Sequence, residues 1–256
     1  MSVTEFFLTI KYLPFLILRN GNYGYCPICQ KRTLFIKFHP WLRDNYKCIN
    51  CQSIPRWRAL IIALNFFYPS WQESEIHESS PGGRSSDFIR KKCKKYSNSF
   101  YFPDAQLGSY KNGNRCENLE NTTFDDETFD IFITQDVFEH INHPNLAFKE
   151  IARVLKPGGM HFFTVPLYRN LKQTRPRIVE NNGEIQYLLD PVYHDNPIDE
   201  KGSLVTVDYG LDLPDFIFKE SKLTTTIFLQ KDISQGLDAE FLEVFISKKI
   251  ETSPLI

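Results

Sequence analysis

Downstream of Trp71, short apolar runs alternate with amphipathic stretches, which predicts strands interleaved with helices in a three-layer α/β fold. Glu75-Ile-His-Glu78 reads as a short strand, followed by the turn-rich Ser79-Ser-Pro-Gly-Gly-Arg-Ser-Ser86. A helix is predicted from about Asp87 to Tyr96, with Ile89, Cys93 and Tyr96 on one face. Phe129-Asp-Ile-Phe-Ile-Thr134 is mostly apolar, as a strand buried on both faces must be. Asn142-His-Pro-Asn145 leads into a helix whose apolar stripe is Phe148, Ile151, Ala152 and Leu155, stopped by Lys156-Pro-Gly-Gly159. Met160-His-Phe-Phe-Thr-Val165 is the next strand. A parallel strand–helix–strand crossover is right-handed and opens a crevice at the carboxyl ends of its strands. That crevice would receive Gln135, Asp136, Glu139 and His140.

The first seventy residues are organised differently. The opening MSVTEFFLTIKYLPFLILRNG is apolar, but Lys11 interrupts it, and its unbroken run is shorter than the roughly 20 residues a bilayer span needs. It also lacks the basic start and small-residue cleavage site of a signal peptide. It is expected to pack on the protein itself, with peripheral contact at a membrane surface as the alternative. Cys26-Pro-Ile-Cys29 and Cys48-Ile-Asn-Cys51 follow, eighteen residues apart, with the alternating Thr33-Leu-Phe-Ile-Lys-Phe38 between them. Two residues between cysteines let a tight turn aim both sulfurs at one point, and two such knuckles joined by a hairpin form a tetrahedral four-thiolate cage. Cys26, Cys29, Cys48 and Cys51 are therefore expected to hold a structural zinc. Its closed coordination shell assigns it no catalysis. A helix beginning near Pro55 links this ribbon to the rest, which divides the chain into residues 1–70 and 71–256.

Charge and composition narrow the function classes. Lys plus Arg number 30 and Asp plus Glu 31, a formal net charge of −1, where nucleic-acid-binding chains carry a basic excess. The run Arg90, Lys91, Lys92, Lys94 and Lys95 reads as a solvated helix face, with contact to an anionic partner as the sharper alternative. Apolar residues at 42% and aromatics at 14% supply a packed core and argue against disorder. Paired cysteines without a leader favour a metal site in a reducing cytoplasm over a disulfide framework.

The stretch ENLENTTFDDETFDIFITQDVFEHINHPNLAFKEIARVLKPGGMHFFTVP, residues 117–166, resembles the class I S-adenosylmethionine-dependent methyltransferases, the type 11 group in particular. The resemblance rests on Glu117-Asn-Leu-Glu120, on Phe124 to Asp130, on Asp136-Val-Phe-Glu-His140, and on Glu150-Ile-Ala-Arg-Val-Leu-Lys-Pro-Gly-Gly159, in that order. It implies a Rossmann-like seven-stranded sheet over residues 71–256, S-adenosylmethionine as methyl donor, and an antiparallel pair from Leu223–Gln230 and Glu240–Ser247. It also implies a cofactor site. Glu78 matches the acid of the family's glycine-rich turn and Gly82 its middle glycine, with Gly83 beside it, while Ser80 and Arg84 replace the outer glycines. Asp104 is the candidate for the ribose hydroxyls, and Asn118 and Leu119 match the adenine-binding position. Gln135 and Asp136 complete the expected cofactor contacts. The stretch between the second strand and Glu117 is too short for a full crossover helix.

Methyl transfer is an in-line displacement at an activated carbon, so the protein mainly aligns the reactants and excludes water. A base is needed only for an acceptor that must lose a proton. His140 is the best placed candidate, capping of the next helix being its plain structural alternative, and His194 is the second. Leu167 to Leu211 form a long insertion, and loops of this length in compact domains are usually functional. Arg169, Tyr193 and Asp208 within it are candidate substrate contacts. The leading expectation is methyl transfer to a small molecule, sugar or glycan. A ribbon-guided RNA methyltransferase is one alternative, disfavoured by the balanced charge. A non-catalytic adaptor with a degenerate cofactor turn is the other.

Overall fold

The structure is a computed structural model, and it describes residues 13–14, 20–181, 183–194 and 202–251. The expectation for the amino-terminal apolar segment falls almost wholly outside these residues. Among the described residues, no helix is long and apolar enough to cross a membrane. The chain forms two compact units: one comprises residues up to Glu73 with Gly82–Lys94 and Phe228–Val244, the other Ser74–Pro81, Lys95–Ile227 and residues from Phe245 onward.

In the first unit, β1 (Gly21–Cys26), β2 (Lys31–Lys37) and β3 (Tyr46–Cys48) make an antiparallel sheet in that order. The two cysteine knuckles share one backbone solution. Gln30 and Gln52, each following the second cysteine of its pair, take positive φ values of 55° and 61°. Each returns its N–H to the carbonyl of the first cysteine, Cys26 or Cys48, at 2.8 Å. A short helix α1 (Leu42–Asn45) precedes β3. Helix α2 (Pro55–Phe67) starts with proline at its first turn, where a missing N–H costs nothing. From it the fully buried Arg58 donates to the carbonyls of Ser53, Tyr46 (2.9 Å) and Gly236 (2.6 Å), with its guanidinium 4.7 Å from the Phe35 ring centre. A buried guanidinium is tolerable only when its donors are used in this way.

Helix α3 (Gly83–Lys92) also belongs to the first unit, and it begins and ends about four residues before the helix expected from Asp87 to Tyr96. The Ser86 hydroxyl bridges the N–H and carbonyl of Gly82 at 3.0 Å each, so the glycine pair enters the helix instead of lying in a longer turn. Tyr96 then opens a strand.

The second unit is built on the sheet. β4 (Ile76–Ser79), β5 (Tyr96–Phe100), β6 (Tyr110–Lys111), β7 (Asn114–Cys116), β8 (Phe129–Gln135), β9 (Leu155–Thr164), β16 (Thr224–Phe228) and β17 (Val244–Lys248) align in the order β16-β17-β9-β8-β4-β5-β7-β6. The five strands β9, β8, β4, β5 and β7 are parallel, whereas β17 joins β9 antiparallel. The sheet thus has eight strands where seven were expected. The extra one is the two-residue β6, which hairpins antiparallel onto β7 in the short stretch too brief for a helix.

Helices α4 (Pro144–Val154) and α5 (Leu213–Ser221) meet through Phe148 and Phe216, ring centres 6.1 Å apart. Phe132, Phe138, Phe148, Phe163, Ile217 and Phe245 lie in one buried cluster beneath them. Helix α4 ends one residue earlier than its stripe suggested: Leu155 already belongs to β9, and Lys156-Pro-Gly-Gly159 lies within that strand. A register shift opposite Phe129 and Ile131, with Gly158 at φ +78°, absorbs the proline and glycines as a bulge.

The described residues of the insertion include short antiparallel pairs: β10 (Arg175–Pro176) with β15 (Val207–Asp208), β11 (Ile178–Asn181) with β12 (Glu184–Tyr187), and β13 (Tyr193–His194) with β14 (Ser203–Leu204).

Candidate active site

Strand β4 pairs with β5 on one side and β8 on the other, so the strand order reverses beside it. Open α/β sheets bind ligands at such a point, outside the carboxyl ends of the strands. At the end of β4, Glu78 is fully buried, and its two carboxylate oxygens accept from Gln135 Nε2 at 2.7 Å and the Tyr96 hydroxyl at 2.8 Å. Three adjacent parallel strands thereby share one carboxylate. The family resemblance assigned Glu78 and Gln135 to the same cofactor site, but the sequence gave no sign of Tyr96, which it placed on a helix.

The chain then turns through Ser80, whose φ is +54° and whose N–H donates to the Ser99 carbonyl at 2.8 Å. Serine here adopts the left-handed conformation that a glycine would take without strain, so the backbone path of the turn survives the substitution. Gly83 has φ +77°, and a Cβ there would come within 2.1 Å of the Trp57 ring, so this position requires glycine for packing inside its own unit. Gly82 differs. Its φ of −156° is ordinary extended backbone and a Cβ would meet nothing within 4 Å.

At the end of β8, Asp136 also has a positive φ, +52°, fixed by its N–H to the Thr164 carbonyl (2.9 Å) and by the Thr164 hydroxyl donating to Oδ1 (3.0 Å). Strained non-glycine backbone of this kind is tolerated where the surroundings over-determine it, often at functional sites. A single 3₁₀ turn, Phe138–His140, follows. His140 Nδ1 lies 2.8 Å from the Leu204 carbonyl, which can only accept, so Nδ1 carries the proton and Nε2 keeps its lone pair. Burial lowers the His140 pKa, and His194 adds to the effect. The His194 ring stands perpendicular to that of His140, centres 5.0 Å apart, and its Nδ1 is 3.9 Å from Glu139 Oε1.

The insertion is stitched to this turn. Thr206 donates its N–H to the Glu139 carbonyl at 2.7 Å and its hydroxyl to the Ile141 carbonyl at 2.6 Å, and the Tyr209 hydroxyl donates to the Phe138 carbonyl at 3.0 Å. Asp208 is only 3% exposed and is held by Arg175 (2.6 Å) and Arg177 (2.9 Å). Tyr193 lies exposed on β13, and Arg169 is exposed after Leu167.

The expected adenosine contacts are placed as follows. Asn118 Oδ1 accepts from the Glu120 N–H at 2.9 Å, so this side-chain oxygen shapes its own turn. The Leu119 side chain is part of the hydrophobic cluster, which leaves its backbone for any ligand contact. Asp104 is 72% exposed and paired with Lys111 Nζ at 2.5 Å, which lowers its pKa.

In the first unit, the four cysteines converge. Cys26 and Cys51 sulfurs are 3.7 Å apart, Cys29 and Cys48 3.9 Å, and all four lie within 4.8 Å of one another. Four sulfurs each about 2.3 Å from a common tetrahedral centre would be about 3.8 Å apart, so the cage has the dimensions of a zinc site. Hydrogen bonding from Cys29 and Cys48 draws the Cys26 thiol down to about 6, while contact with Cys26 and Cys48 pushes Cys29 up. The sulfurs cannot all ionise without a cation among them.

Residues 91–163 match the family of the methyltransferase domain. A ubiquinone biosynthesis O-methyltransferase from Coxiella burnetii is 36% identical over 58 residues, 23% of this chain and 24% of that protein. The enzyme of the same name from Parvibaculum lavamentivorans is 38% identical over 58 residues, 23% and 22% of the two chains. The chain thus spans about a quarter of the length of the curated relatives it matches. A chain of the complex between the Haloferax volcanii Trm112 methyltransferase activator and a methyltransferase has the same fold, with a TM-score of 0.50 at 13% identity over 77% of this chain and 91% of that one. The matched residues run from the end of α3 through β5, β8 and α4 into β9.

Proposed function

We propose that the protein transfers the methyl group of S-adenosylmethionine to a hydroxyl of a small-molecule acceptor, a phenol or a sugar being the chemistry that fits. The observation that carries this reading is His140, half-buried, with Nδ1 committed to a backbone carbonyl and Nε2 left as a neutral acceptor beside Glu139 and His194. Such a group is of use to an acceptor that must lose a proton as it is methylated. The curated relatives are named O-methyltransferases, which supports oxygen as the acceptor atom.

When bound, S-adenosylmethionine supplies a methyl carbon already activated by its sulfonium. Glu78, Gln135, Asp136, Asn118 and the Leu119 amide would hold it, and the sequence adds Gly82, Gly83 and, more weakly, Asp104. His140 or His194 takes up the acceptor proton. Arg169 and Tyr193 are the substrate contacts in the insertion, while Asp208 acts through the two arginines it holds. The four-cysteine cage takes a structural zinc, and the division at residues 70 and 71 separates the ribbon from the catalytic domain.

Incubation with methyl-labelled S-adenosylmethionine and a panel of phenols, catechols and sugars tests the reading. Label transferred to oxygen supports it. Label transferred only to amines or thiols overturns it.

A further inference from the structure

Glu139, His140 and His194 offer three ligand atoms that all lie within 4.8 Å of one another. This is a carboxylate and two imidazoles, remote in composition from the four-thiolate cage. A two-histidine, one-carboxylate set is the donor pattern of zinc sites that keep a fourth position open for water or substrate.

The details go beyond proximity. His140 donates Nδ1–H to the Leu204 carbonyl at 2.8 Å, which fixes its tautomer and turns Nε2 outward as a lone pair. Metal-bound histidines are held by this kind of second hydrogen bond. Glu139 is 2% exposed, and its backbone is pinned by Thr206 at 2.7 Å. The carboxylate and the His194 imidazole already face each other, with Nδ1 3.9 Å from Oε1. Ligands of one tetrahedral zinc are about 3.4 Å apart at bond lengths of about 2.1 Å, so an ion would draw His194 inward by less than about an ångström along that contact. His194 is able to follow: its side chain is 41% exposed and it sits on the two-residue strand β13.

We infer that Glu139, His140 and His194 form a second metal site, which takes a divalent transition-metal ion such as zinc and presents an open position to the acceptor oxygen. This deepens the methyl-transfer reading and rests on it for the acceptor, though not for the ion. With the ion bound, His140 and His194 would serve as ligands in place of the proton acceptor described above, and an acceptor hydroxyl on the ion would lose its proton to solvent at a lower pH than it otherwise does. The resulting oxyanion attacks the methyl carbon. One C–O bond forms, the C–S bond breaks, and its electron pair returns to sulfur. Because two ligands come from the 3₁₀ turn after β8 and one from the insertion, the ion also ties the insertion to the strand ends.

Cobalt(II) titrated into the tag-free, metal-stripped full chain tests the inference. The expected result is two ions per chain. One carries a thiolate-to-cobalt band in the near ultraviolet and is lost in Cys26→Ser. The other carries no such band and is lost in His194→Ala and in Glu139→Gln, with circular dichroism confirming that both variants remain folded. A wild-type chain that binds one ion overturns the second site, as do variants that still bind two. Titration with S-adenosylhomocysteine on the same samples keeps the two ideas apart: its binding with a single cobalt overturns the metal site alone, and two cobalt ions without its binding support the metal site while contradicting methyl transfer.

Discussion

His140 and Leu204, 64 residues apart, are joined by a 2.8 Å hydrogen bond from the imidazole Nδ1 to the backbone carbonyl. One side chain therefore both anchors the insertion and presents an acceptor nitrogen. The two duties can be separated. Asparagine reproduces the Nδ1 donor without an equivalent of Nε2, so His140→Asn should keep the insertion docked while methyl transfer falls by about 100-fold or more. His140→Ala should lose both. Turnover measured beside limited tryptic cleavage after Arg177 distinguishes them, and a His140→Asn enzyme with undiminished turnover would remove the base and the ligand role together.

Asp208 is held by two arginines at the root of the insertion. Asp208→Asn leaves Arg177, itself only 13% exposed, short of its counter-charge, a loss of about 3 kcal/mol when a buried pair is broken. Proteolysis should then begin within residues 167–211, well before global unfolding. Unchanged protease resistance would mean that the arginines find other partners.

Gly82 and Gly83 are adjacent and should behave oppositely. Gly83→Ala forces a Cβ into the Trp57 ring at φ +77° and should cost about 3 kcal/mol, from the left-handed backbone and the overlap together. Gly82→Ala should change stability by less than about 0.5 kcal/mol, since its Cβ meets nothing. Denaturant midpoints of the two variants read the difference, and equal losses would contradict it.

Acid should destabilise the second unit through two buried histidines. Burial pulls His161 and His77 down to about 3, His77 with help from Arg115. Both are neutral in the folded chain, whereas the unfolded chain takes up protons below pH 6.5. The unfolded state thus binds more protons between about pH 6.5 and 3, and stability is lost as pH falls through that window. The urea midpoint should be level above pH 7 and drop below 6.5, less steeply in His161→Leu. A midpoint that holds down to pH 5 would contradict this.

Much of this architecture was legible because it is local. The strand ending at Gln135, the helix starting at Pro144 and the cysteine knuckles follow from apolar runs, proline placement and spacing that involve few residues. The β6 hairpin and the bulge at Lys156-Pro-Gly-Gly159 did not show, since a two-residue edge strand has no periodicity and a proline-glycine run signals a stop as readily as a kink. Tyr96 was misplaced because its helical spacing from Ile89 and Cys93 is genuine, while the chain leaves the helix at Lys92. In the site, Glu78, Gln135 and His140 stood out by motif. Leu204 and Thr206 had no signal, because they act through a main-chain carbonyl and a small hydroxyl brought in by an insertion.

In the proposed function, the carboxyl ends of β4, β7 and β8 hold S-adenosylmethionine. Isothermal titration of the full chain with S-adenosylhomocysteine tests it most directly. The proposed function predicts one cofactor bound per chain, with affinity reduced at least 10-fold in Asp136→Ala, which loses the Thr164 contact that fixes the turn. No binding at millimolar cofactor would contradict it.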